Sequence, residues 1–143
     1  MKKIFNIDCG LYPLGIFTVL TGVSLHIAGH GVSHNIWEIW AVLHSLVAVA
    51  FTVLLANHIL THRAWFKNMR RSTFWHKRIV TTTLSVLLVL TALSGVVLLA
   101  VWGTNTHLGL LHYKIGLGFA LLMVVHGAKR VAILRNAVIS GKR

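Results

Sequence analysis

Four apolar runs, each about as long as a bilayer is thick, take up most of this chain: residues 10–29, 37–61, 79–102 and 108–128. Crossing the hydrocarbon takes roughly 20 residues of helix at about 1.5 Å per residue. Inside lipid every backbone N–H and C=O must be paired within the protein, so runs of this length are expected to be helices. The fourth is expected to continue through a basic segment to about residue 134. Little of the 143-residue chain is left over. The expectation is one all-α, integral-membrane four-helix bundle over residues 1–143, with no separate soluble domain. A composition of 56% hydrophobic and 11% charged residues agrees, because soluble domains carry about 25% charge.

The net charge of +12 raises the question of nucleic acid, and its distribution answers against it. Of the 14 Lys and Arg residues, all but Lys114 lie at the N-terminus, between the second and third runs, or after the fourth. The other two linkers carry none. This is the positive-inside pattern of a four-span protein with both termini cytoplasmic. The 63–78 segment is basic enough to meet anionic headgroups, so membrane lipid is the expected partner of this charge. Lys114 is expected to snorkel to the outer interface. The five tryptophans, at 37, 40, 65, 75 and 102, mostly mark membrane boundaries.

Cys9 is the sole cysteine, so there is no disulfide framework, no paired-thiolate metal site and no Cys-x-x-Cys-His for covalent haem. Met1-Lys2-Lys3 before an apolar run resembles a secretory leader. Pro13 and Gly15 interrupt that run and no small-x-small cleavage site follows, so it is read as the first membrane helix.

The chain reads as two tandem copies of a two-helix unit. His44-Ser-Leu-Val-Ala-Val-Ala-Phe51 aligns with His112-Tyr-Lys-Ile-Gly-Leu-Gly-Phe119, and both continue to a second histidine, His58 and His126. Upstream, Thr21-Gly22-Val23-Ser24-Leu25 aligns with Ser94-Gly95-Val96-Val97-Leu98. Parallel copies send the second and fourth helices the same way and build a site between the halves. The short linkers 31–36 and 103–107 favour antiparallel neighbours. Gly15, Gly22 and Gly95 on the flanking helices allow close approach, of a helix or of a porphyrin edge.

In each copy the two histidines are 14 residues apart within apolar sequence. Ionisable groups in membrane spans are costly and usually functional. Fourteen residues are almost four helical turns, so both imidazoles project from one face, about 21 Å apart along the axis. On parallel helices His44 then meets His112 at an outer level, and His58 meets His126 at an inner one. Each pair suits one haem iron held from both sides, which favours electron transfer over ligand binding. Two haem b groups are therefore expected, with Arg63, Lys129 and Arg130 near the inner propionates.

Six more histidines surround these four. His62 shares a face with His58 and is expected to handle protons or bind a propionate; on geometry alone it is an alternative inner ligand. His26 and His30, one turn apart, could line an outer substrate site, hold a third cofactor or replace an outer ligand. His34, His76 and His107 are expected in solvated loops, where a histidine titrates near neutrality and can pass protons to or from a quinone.

The run His44–His58–His62 followed by Trp65, after a Thr21-Gly22-x-x-Leu25 helix, resembles the small bacterial four-helix b-type cytochromes known as flavinylation-associated cytochromes. More distantly, the paired spacing resembles the di-haem module of respiratory cytochrome b. This resemblance implies axial ligation by His44, His58, His112 and His126. It implies location in the bacterial inner membrane and exchange of electrons with quinol and with a flavoprotein, an iron–sulfur protein or a periplasmic cytochrome, as a subunit of a larger oxidoreductase complex. Exchange between superoxide and quinone is a related possibility. A departure from the family is the histidine-rich end of the first helix. Two other classes compete: a zinc or copper transporter or sensor, for which His26 and His30 are the best support, and a structural anchor with incidental histidines.

Overall fold

The computed structural model describes residues 2–31, 33–63, 79–101, 103 and 106–139; of these, side chains are described for residues 7, 10–31, 33–63, 79–101, 103 and 106–128. Four helices make up the described chain: α1 Lys2–Ala28, α2 His34–Thr61, α3 Ile79–Ala100 and α4 His107–Ile139. No strand occurs among the described residues. Each helix contains a stretch long and apolar enough to cross a membrane: Gly10–Ala28, His34–Thr61, Ile79–Ala100 and His107–Ala128. Large apolar side chains such as Ile16, Leu46, Leu93 and Leu121 face outward on the four helices, as lipid-facing positions do.

The helix ends correct the sequence reading in four places. First, α1 begins at Lys2 rather than at residue 10, with Pro13 inside it. Proline removes one backbone donor, a loss that neighbouring helices allow a membrane helix to tolerate. Second, His34 is not in a loop. It is the first residue of α2, after an extended Ser33, and its Nε2 lies 3.1 Å from the Glu38 carboxylate one turn on. Third, His107 is the first residue of α4. Thr106 caps that helix, its hydroxyl accepting from the Gly109 N–H at 3.0 Å. Both histidines are nonetheless exposed. At the far end α4 continues to Ile139, beyond the expected residue 134. His76, Trp65, Trp75 and Trp102 lie outside the described residues.

Close backbone approach is concentrated within the hairpins α1–α2 and α3–α4, with a lesser α1–α4 contact. Glycines show the register. Positions for a Cβ on Gly10, Gly15 and Gly22 fall against Leu54, Phe51 and His44, so α1 runs antiparallel to α2. Those on Gly95, Gly116 and Gly118 fall against His112, Thr91 and Leu87, so α3 and α4 are antiparallel too. Gly127 meets Tyr12, and Gly15 meets Met123, so α1 is also antiparallel to α4. It follows that α2 and α4 run the same way. They face each other through rings: His44 with His112, and Phe51 with Phe119, both with centroids 6.3 Å apart.

Candidate functional site

The His44–His112 pair is built twice from the same parts. On α1 the Thr21 hydroxyl donates to the Phe17 carbonyl at 2.8 Å, with the Thr18 carbonyl at 3.1 Å. On α3 the Ser94 hydroxyl donates to the Leu90 carbonyl at 2.8 Å, with the Thr91 carbonyl at 3.1 Å. Each hydroxyl oxygen also meets a histidine: Thr21 Oγ1 lies 3.1 Å from His44 Nδ1, and Ser94 Oγ lies 2.8 Å from His112 Nδ1. A hydroxyl has a single hydrogen. While that hydrogen stays on a helix carbonyl, the oxygen accepts an Nδ1–H from the imidazole; turned to the ring, it donates to a bare Nδ1 instead. In a neutral imidazole with Nδ1 protonated, Nε2 carries the lone pair. The first arrangement leaves Nε2 of each ring as the nitrogen that can bind a metal.

Glycine completes the cradle. A Cβ on Gly22 would stand 3.0 Å from His44 Cε1, and one on Gly95 would stand 3.2 Å from His112 Cε1. The bare backbone lets each ring lie against the flanking helix, beside its hydroxyl partner. The result is two half-buried imidazoles from co-directional helices, 6.3 Å between centres and 75° between planes. Two imidazoles on opposite sides of one metal, with bonds of about 2 Å, have ring centres roughly 6 Å apart. The donor set is all-imidazole, which suits haem iron. Its geometry fits bis-imidazole ligation.

Seven residues beyond this pair, Phe51 and Phe119 face each other. Seven further on, the same register reaches His58 and His126, both half-buried. The His58 ring lies 4.8 Å from that of His62. His126 precedes Gly127, whose carbonyl accepts from the Tyr12 hydroxyl at 3.3 Å. Arg63 follows α2 and is exposed. Lys129 and Arg130 fall within α4, and their side chains lie outside the described residues. Near the start of α3, the buried Thr82 hydroxyl has no partner among the described residues.

Three participants were not singled out by the sequence. Thr18 and Thr91 were missed although the repeat extends to them, as Thr18-x-Leu-Thr-Gly22 and Thr91-x-Leu-Ser-Gly95. Tyr113 stacks on His26 with centroids 3.9 Å apart and 14° between planes; its repeat counterpart is Ser45, so the alignment carried no signal for it. His30 lies edge-on to His26 at 4.6 Å, its Nδ1 donating to the His26 carbonyl at 2.8 Å. Among the described residues no three His, Cys, Asp or Glu side chains converge on one point, the arrangement a structural zinc site uses. Comparison with protein-family models, with curated proteins and with solved structures found no match.

Proposed function

We propose that this chain is a membrane di-haem b-type cytochrome that carries electrons across the bilayer between the quinone pool and a redox partner, as a subunit of a larger complex. The observation that carries the reading is the duplicated hydroxyl–imidazole pair. Thr21 and Ser94 each hold an imidazole at Nδ1, and the two ring centres stand 6.3 Å apart, which supports a reading in which Nε2 of His44 and of His112 would hold one haem iron. Ligating histidines characteristically donate their other N–H in this way, which orients the ring and raises its basicity. A structural histidine has no need of a matched copy on a second hairpin.

His44 and His112 are assigned to one haem, and His58 and His126 to a second, one face further along the same two helices. Haem held by these imidazoles would supply reversible one-electron chemistry. The chain's part is to hold the imidazoles, exclude water through Phe51 and Phe119, and set local polarity. The charge pattern supports cytoplasmic termini, which makes the His44–His112 level the outer one. Arg63, Lys129 and Arg130 then lie at the inner surface as counter-charges for propionates. The resemblance to flavinylation-associated cytochromes supports the bacterial inner membrane, with a flavoprotein, iron–sulfur protein or periplasmic cytochrome as partner.

The test is a reduced-minus-oxidised spectrum of the purified full-length protein, produced with ample haem. Low-spin b-type bands at two haems per chain are expected. A colourless protein that stays colourless on haem addition would overturn the proposal, and bound zinc in its place would favour a metal-transport role.

A further inference from the structure

The end of the bundle that carries the short connections holds a second ring cluster, distinct from the paired imidazoles. His26 of α1 stacks face to face on Tyr113 of α4, and His30 closes the cluster edge-on. His30 is held through Nδ1 by the His26 carbonyl. The ring nitrogens of His26 and the Tyr113 hydroxyl have no hydrogen-bond partner among the described residues. His26 and Tyr113 are half-buried and His30 is exposed. The cluster thus joins flat, stacked apolar surface to three polar edges, at the boundary of the membrane-spanning stretches. Its flanks are apolar and open to lipid: Ile27 is 64% exposed and Leu110 is 42% exposed.

Position adds to chemistry. Tyr113 directly follows His112. His26 is one turn from Gly22, on which the His44 ring rests. The two stacked rings therefore stem from α4, one residue after His112, and from α1, one turn beyond the glycine against which the His44 ring lies. A ligand for such a place must be planar, must offer oxygens at its edge to a histidine and a phenol, and must arrive through lipid. A quinone headgroup on an isoprenoid tail has all three properties. A soluble ion or a peptide lacks the second or the third.

We propose that His26, His30 and Tyr113 form the binding site for a quinone headgroup at the outer end of the α1–α4 seam, an inference that rests on the di-haem reading for its purpose but not for its chemistry. The test is isothermal titration of the full-length protein in detergent with decylubiquinone, for wild type and for His26→Phe and Tyr113→Phe. Both substitutions keep a flat ring in the stack and remove only the hydrogen-bonding edge, so the fold is retained. One site per chain is expected in wild type, with affinity falling about tenfold in each variant. Wild-type affinity in both variants, or no binding to the wild type, would overturn the site. A two-haem protein whose variants bind as wild type refutes this site and leaves the haem reading intact. A colourless protein whose variants bind tenfold more weakly refutes the haem reading and upholds the site.

Discussion

Helix hydroxyls in this chain mostly turn back on their own helix. Ser45, Thr52, Thr61, Ser85 and Thr91 each donate to the carbonyl four residues earlier, at 2.7 to 2.9 Å. Thr21 and Ser94 do the same, and in addition meet an imidazole Nδ1. That second contact orients the ring, so on the di-haem proposal its loss should be felt in haem binding rather than in the fold. Thr21→Val keeps the shape and removes the hydroxyl; Ser94→Ala does the same on the other hairpin. Each is expected to weaken binding of the haem proposed between His44 and His112 by about 10- to 100-fold, the usual effect of deleting a ligand's hydrogen-bond partner. Haem titration of the apoprotein measures this, with Ser85→Ala, whose hydroxyl serves only its own helix, as the comparison that should leave affinity unchanged. Equal affinity in all three variants would remove the hydroxyls from the site.

At the scale of elements, the two hairpins are joined by few close contacts, and one of the tightest is Gly127 against Tyr12. A Cβ there would stand 2.8 Å from Tyr12 Cε1 and 3.2 Å from its hydroxyl oxygen. Gly127→Ala is therefore expected to force α1 and α4 apart, costing about 1–3 kcal/mol as overpacking does. In a Tyr12→Leu background the ring is gone and most of that cost should vanish; thermal unfolding of the two single variants and the double variant measures the coupling. Additive effects would mean that the seam is not packed as described. The spans themselves were legible from length and hydropathy alone, because lipid leaves the backbone little choice. The ends were not. The start of α4 depends on a single capping hydroxyl, Thr106, and Ser33 precedes α2 without a side-chain cap bond. Continuation of α1 through Pro13 ran against local propensity. The facing of His44 and His112 was legible because repeat and helical period agree. The hydroxyl partners were only half legible, since an alignment shows that Thr21 and Ser94 correspond but not what they touch. Tyr113 was illegible, because the stack that defines it spans two helices from different halves of the repeat.

For the whole molecule, the decisive number is seven. His44, Phe51 and His58 are spaced by seven on α2, as are His112, Phe119 and His126 on α4. A step of seven is close to two helical turns, or about 10.5 Å. The first two positions face each other at equal ring separation, 6.3 Å, so α2 and α4 hold their register over that length without drifting apart. The third position, His58 and His126, follows at the same spacing, about 21 Å along each helix from the first. The consequence is a pairing rule that single substitutions can read. His58→Ala and His126→Ala should each abolish the same haem and leave the spectrum of the other largely intact. His44→Ala and His112→Ala should each abolish the complementary one. His62 directly follows α2, and its ring lies beside that of His58. His62→Ala should therefore retain two haems, with at most a shifted inner midpoint potential in a redox titration. Loss of a haem in His62→Ala, with both retained in His58→Ala, would move the inner ligand one turn along α2. His62 stands 18 residues from His44, five full turns, so the outer pair would survive that change and the seven-residue register would not.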